Sequence, residues 1–143
     1  MHPKLQHADE LSHQVIGAAI EVHCIKGLGL LESIYEKCLM HELFLQSVHA
    51  QQQVIVPIEY KGYVFEEPLK LDSFVDNCLI VELKAVAEVL PIHKAQLLSY
   101  MRLLDIPLGL LINFHELRLK DGVHRLILPG AGKKTENNND QAS

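Results

Sequence analysis

The chain has 143 residues, 48% hydrophobic and 22% charged, enough for one domain with its own core and short of two ordinary domains. Its formal charge of −5 excludes a protein whose whole surface attracts nucleic acid, though not a local basic groove. No apolar run approaches the roughly 20 residues that span a bilayer, and the polar start MHPKLQHADELSHQ lacks a signal core, so a cytoplasmic location is expected.

Residues 5–25 are predicted to be helical, with Leu11, Val15, Ala18, Ala19 and Val22 recurring at helical spacing. The two glycines of KGLG, Lys26 to Gly29, break the pattern. A second helix follows from about Leu30 to Gln46, striped by Leu31, Ile34, Cys38, Leu39 and Leu43. Glu32 and Tyr35 share one flank of it, and the helix dipole favours an acid such as Glu32 in the first turn.

From Gln51 the period changes to two. Val54, Val56, Ile58 and Tyr60 predict a half-buried strand, placed near an edge by Pro57. Lys61-Gly62 is a turn, and a second strand runs from Tyr63 to Glu67, ending near Pro68. Strands over 70–75 and 79–85, a helix over 92–104 behind Pro91, and strands over 108–114 and 123–128 complete the pattern. The tail from Gly130, GAGKKTENNNDQAS, has almost no apolar residues and is expected to be disordered, which leaves a single domain over 1–129. Cys24, Cys38 and Cys78 form no CxxC pair and are expected to act as small buried hydrophobes. The nine histidines form no spaced metal motif.

This order predicts an α/β fold, a mixed sheet with helices on both faces. Its most apolar strands, 79–85 and 108–114, are expected at the centre, parallel across the intervening helix.

Charge interrupts the apolar strand at its end. Glu82 and Lys84 are two apart and so share a face. Buried charges without partners cost several kcal/mol. A divalent cation held by Asp72 and Glu82 near Lys84 would offset them, and so would a plain surface ion pair; both readings stand at this point. Register decides whether one cation can see both acids. A two-residue turn at Asp76-Asn77 would pair Asp72 with Val81 and put the acids on opposite faces. A three-residue turn, Asp76-Asn77-Cys78, sets Val75 opposite Leu79 and Asp72 opposite Glu82, and Asn77 tolerates the left-handed conformation it needs. The second register is predicted.

Gln96 and Tyr100 lie four apart on the following helix and share a face. Asp72-x9-Glu82-x-Lys84 followed by Gln96-x3-Tyr100 resembles the pattern of the PD-(D/E)XK nuclease superfamily in its RecB-like branch. GLLESIY, with Gly29, Glu32 and Tyr35, resembles the motif that names the GxxExxY family within it. VELKAV, HKAQLLSYMRL and LGLLINF resemble that family's later blocks, so the similarity spans about residues 10–128.

The resemblance implies a restriction-endonuclease-like core, a mixed β-sheet flanked by helices on both faces, with a hairpin carrying the acids. It implies that Asp72 and Glu82 bind Mg²⁺ or Mn²⁺, with the Leu83 carbonyl as a further ligand and Glu32 completing the shell directly or through water. Lys84 would orient the attacking water and stabilise charge on the phosphate, and Gln96 and Tyr100 would position the site or the nucleic-acid backbone. One departure concerns Lys70, where relatives carry arginine; lysine keeps the charge and loses the bidentate fork. The implied activity is metal-dependent hydrolysis of phosphodiester bonds in nucleic acid, DNA ahead of RNA. The alternative is a catalytically silent protein that keeps the fold for binding. So few basic residues are compatible with a homodimer gripping the substrate. Tyr35, His93, Asn113, Lys120 and Arg125 flank these motifs, and packing, capping or solvated roles are expected for them.

Overall fold

A computed structural model describes residues 1–65 and 69–132. Helices α1 (Leu5–Lys26) and α2 (Glu32–Leu45) come first. Strands β1 (Ala50–Val56), β2 (Glu59–Tyr60), β3 (Tyr63–Val64), β4 (Leu69–Val75) and β5 (Leu79–Lys84) follow. Helix α3 (Pro91–Leu104), strand β6 (Leu108–Asn113), a 3-10 turn at Leu119–Gly122 and strand β7 (Val123–Ile127) complete the order. Among the described residues no helix is long and apolar enough to cross a membrane.

Helix ends sit where local chemistry stops them. Gly27 adopts φ 71° after α1 and its N–H donates to the His23 carbonyl, closing orphaned acceptors of the last turn. Pro91 opens α3, where its missing N–H costs nothing, and the Leu90 N–H donates to His93 Nδ1 at 2.9 Å. His93 is thereby occupied in a local cap.

Five strands form one mixed sheet in the order β1-β4-β5-β6-β7. β5 and β6 are parallel, with Leu79 opposite Leu108 and Lys84 opposite Asn113, and the other pairings are antiparallel. The apolar strands are central, as their composition requires. Helices α1 and α2 cover one face, packing Val15, Ala18, Leu39 and Leu43 against Val75, Val81, Leu83 and Leu110. Helix α3 covers the other, packing Leu97 and Met101 against Leu71, Ile80 and Leu111. Each such fully buried aliphatic side chain contributes about 1.5–3 kcal/mol relative to exposure. Helices on both faces of a mixed sheet are the α/β, restriction-endonuclease-like arrangement that the sequence predicts.

Three expectations need correction. The strand expected over Val54–Tyr60 is broken: β1 ends at Val56, before Pro57, and Glu59–Tyr60 pairs with Tyr63–Val64 in a separate two-stranded ribbon. Proline removes a ladder donor and fixes φ, which ends the edge strand there. Glu66 and Glu67, placed in the second strand, and Pro68 lie outside the described residues. Second, Cys24 is exposed, while Cys78 is buried. Third, Gly130 to Gly132 continue as a turn in which Ala131 is buried and its carbonyl accepts the His2 N–H at 2.6 Å. The rest of the expected tail lies outside the described residues.

The turn after β4 has three residues. Asp76 and Asn77 take φ 48° and 54°, and the Cys78 N–H donates to the Val75 carbonyl at 3.0 Å. Aspartate and asparagine are the side chains that best tolerate this conformation. The N-terminal end of α1 clamps the turn, with Lys4 Nζ donating to the Asn77 carbonyl at 2.8 Å and His7 Nε2 2.6 Å from Asp76 Oδ2.

Candidate active site

The turn length has a direct consequence for the acids. Val75 lies opposite Leu79 and Ser73 opposite Val81, so Asp72 and Glu82 are next in register, as predicted. The regular ladder stops there. The Leu83 N–H turns to Asp72 Oδ2 at 3.0 Å, and the Asp72 N–H faces Glu82 Oε1 at 3.5 Å. Two side-chain carboxyl groups thus serve backbone donors that the opening ladder would leave unpaired.

The Asp72 and Glu82 carboxyl groups also lie close enough to act on each other electrostatically. Glu82 is only 8% exposed. Burial first, then the Asp72 carboxyl beside it, push the Glu82 carboxyl up to about 10. The pull of Lys84 in the other direction is smaller.

Lys84 follows on the same strand and is half-buried. Among the described residues its ammonium makes no ion pair. The surface ion pair with Glu82 therefore gives way to an acid pair with a free cationic side chain beside it.

Glu32 is the first residue of α2 and comes from the opposite layer of the fold. Burial raises its carboxyl above the usual range, Asp72 and Glu36 add to the rise, and Lys84 and the Ala85 N–H oppose it. It thus lies within electrostatic reach of both Asp72 and Lys84, beside the backbone just past Lys84. From the α3 side, the Tyr100 hydroxyl lies near Gln96 and feels the charge of Glu82 and Asp72. Burial first, and those acids next, raise Tyr100, so it stays a protonated donor. The structure brings together Glu32, Asp72, Glu82, Leu83, Lys84, Gln96 and Tyr100.

Does this set fit a divalent cation? Two adjacent carboxyl groups concentrate negative potential when both are ionised, and a divalent cation would offset it. All the candidate side-chain ligands are hard oxygens, which suits Mg²⁺ or Mn²⁺. Among the described residues no three Asp, Glu, His or Cys side chains converge on a single ion position. Asp72 and Glu82 are thus the adjacent pair among the candidate ligands, with Glu32 within electrostatic reach of Asp72.

Several neighbours have roles that motif spacing did not convey. Asn113, 1% exposed, accepts the Val86 N–H at 3.1 Å and donates to the Val86 carbonyl at 2.8 Å, stapling the chain just beyond Lys84 to the end of β6. Tyr35 stacks on Phe114 with centroids 4.5 Å apart. Its hydroxyl donates to the Gly27 carbonyl at 2.6 Å and accepts the Leu30 N–H at 3.2 Å, so it holds the loop into α2 and does not touch the acids. Arg125 is bound to Asp9. Glu36, one turn after Glu32, is 6% exposed and takes hydrogen bonds from Gln52 and Gln53. Its only sequence signal was an acid next to an apolar stripe, and its partners lie 16 and 17 residues away.

Comparison with known proteins is consistent with this geometry. No curated protein matches the chain. Among solved structures, that of SSO0001 is similar at 18% identity, covering 82% of this chain and 77% of its own, with a TM-score of 0.39, a likeness too loose to carry function. The family model of the PD-(D/E)XK nuclease superfamily matches residues 9–126, a span that contains the whole acid, lysine, glutamine and tyrosine constellation. The chain belongs to the PD-(D/E)XK nuclease superfamily.

Proposed function

We propose that this protein is a metal-dependent nuclease of the GxxExxY group, in the RecB-like branch, that hydrolyses phosphodiester bonds in nucleic acid, with DNA the first substrate class to test. One observation carries the reading. Asp72 and the buried Glu82 lie next to each other where the ladder opens, Asp72 taking the Leu83 N–H, with Lys84 on the same strand making no ion pair among the described residues. Nucleases of the superfamily generally use divalent ions. Asp72 and Glu82 would hold Mg²⁺ or Mn²⁺, joined by the Leu83 carbonyl and, through water, by Glu32. When bound, the cation supplies Lewis-acid polarisation of the phosphoryl oxygen and a more acidic water.

The chain's own residues supply the rest. Lys84 places a positive charge where charge builds on the phosphate and orients the water for attack. Glu32 accepts hydrogen bonds from waters at the mouth of the site. Tyr100, kept protonated and one helical turn from Gln96, donates to the phosphate backbone and limits its approach on the α3 side. Asn113 fixes the segment beyond Lys84, so the lysine has a defined base to work from.

The test is a panel of single- and double-stranded DNA and RNA with Mg²⁺ and Mn²⁺, run on wild type and Lys84→Ala. Wild type cleaves at least one substrate, and the variant loses about 100-fold or more, the scale of a removed electrostatic stabiliser. No cleavage by wild type, or equal cleavage by the variant, sinks the reading. The absence among the described residues of a third converging acid favours one alternative, a silent nuclease-fold binding protein. That alternative gives stable nucleic-acid binding with no ion-dependent cleavage.

A further inference from the structure

The outer strand pair is irregular at one level only. Pairing on the two sides of the irregularity keeps the same register, with Gln52 opposite Ser73 and Val54 opposite Leu71. Gln53 and Asp72 face each other in between and do not pair. Gln53 has φ 51°, a left-handed conformation that non-glycine residues avoid in a strand. Side-chain alternation breaks at the same place. Residues two or four apart on a strand should share a face. Yet Val75 packs under α1 and α2 while Leu71 packs under α3. On β1, Ala50 belongs to the first cluster and Val54 to the second. The neighbours Gln52 and Gln53 should point to opposite faces, but both side chains reach Glu36.

Glu36 is what holds them there. Gln53 Nε2 donates to both of its oxygens, at 2.8 and 3.0 Å, and Gln52 Nε2 donates to Oε2 at 2.8 Å. A buried carboxylate needs such donors, and a left-handed glutamine needs something to offset its strain; each supplies the other. The consequence falls on Asp72. Freed from its β1 neighbour, it leaves the ladder and directs its carboxyl to the Leu83 N–H.

We propose that Glu36, through Gln52 and Gln53, is a positioning residue of the site, holding the β1 kink that lets Asp72 reach Glu82 and the Leu83 amide. This rests on the nuclease reading for its purpose, though not for its geometry. Glu36 anchors the edge strand to the same helix that delivers Glu32, so one helix sets both sides of the site.

The test separates the two. The Leu83 amide resonance in ¹⁵N spectra of the metal-free protein reports its bond to Asp72, with Asp72→Ala as the reference for its loss. Gln53→Gly keeps the left-handed conformation at no steric cost and leaves the resonance at its wild-type position. Gln53→Val, β-branched, and Glu36→Ala move it toward the Asp72→Ala position and weaken Mn²⁺ binding by about tenfold or more, the loss seen when outer support of a metal site is removed. If Gln53→Val does not fold, the milder Glu36→Gln is read in the same way. A Leu83 amide unmoved in the folded Glu36 variants overturns the proposal. Wild type that neither binds Mn²⁺ nor cleaves nucleic acid defeats the nuclease reading and leaves the amide result standing.

Discussion

Glu82→Gln in the ion-free protein tests the central acid pair. Glu82 titrates near 4.5 in the unfolded chain and near 10 in the fold. Between these values the folded state keeps a proton that the unfolded state releases. Its stability contribution is therefore whole below about pH 4.5 and is lost as pH rises through the range up to about 10. The slope is at most about 1.4 kcal/mol per pH unit, so a ceiling of about 2.7 kcal/mol is lost between about pH 5.5 and 7.5. Local opening of the pair relieves part of this. Glutamine has no proton to lose, so the variant lacks this slope. Urea unfolding of both proteins in EDTA across that range shows the variant gaining on wild type as pH rises. Millimolar Mn²⁺ then stabilises wild type by mass action and not the variant, closing or reversing the gap. A gap that stays constant with pH, or that narrows without metal, refutes the account of Glu82 as a buried acid that keeps its proton in the fold.

Other consequences are simpler to read. A methyl group at position 122 would collide with the Asn113 carbonyl oxygen, so Gly122→Ala costs about 2 kcal/mol or more by thermal melt and lowers any nuclease activity by displacing the staple to Val86. Tyr35→Phe removes the hydroxyl between Gly27 and Leu30 and costs about 1–2 kcal/mol, again by melt, with the far-UV spectrum unchanged. Tyr100→Phe keeps the fold and lowers kcat/KM about tenfold, and its loss depends little on pH because the hydroxyl is protonated throughout the neutral range.

Much of this was legible along the chain because the deciding forces were local. Period-two and period-3.6 patterns specify elements whose side chains meet water or core on a fixed face. Asp76 and Asn77 specify a three-residue turn because their side chains tolerate left-handed backbone, and that turn places Asp72 opposite Glu82. Gln96 and Tyr100 share a face because a helix repeats every 3.6 residues.

Where the outcome depended on residues far apart in sequence, tertiary structure decided. Pro57 was readable as an edge residue, but not that the chain beyond it leaves the sheet for its own ribbon. Tyr35 sits beside Glu32 on the helix, yet packing against Phe114 turns its hydroxyl to the preceding loop. The left-handed Gln53 contradicts its local preference and persists because Glu36, on another element, holds its side chain. The amino-acid sequence alone determined which acids, lysine and amide-bearing side chains the hairpin and helix present, since spacing within one element is a property of the backbone. Only the assembled fold decided that Asp72 breaks from its strand to take the Leu83 N–H beside Glu82, because that requires a kink whose cost is met from across the molecule.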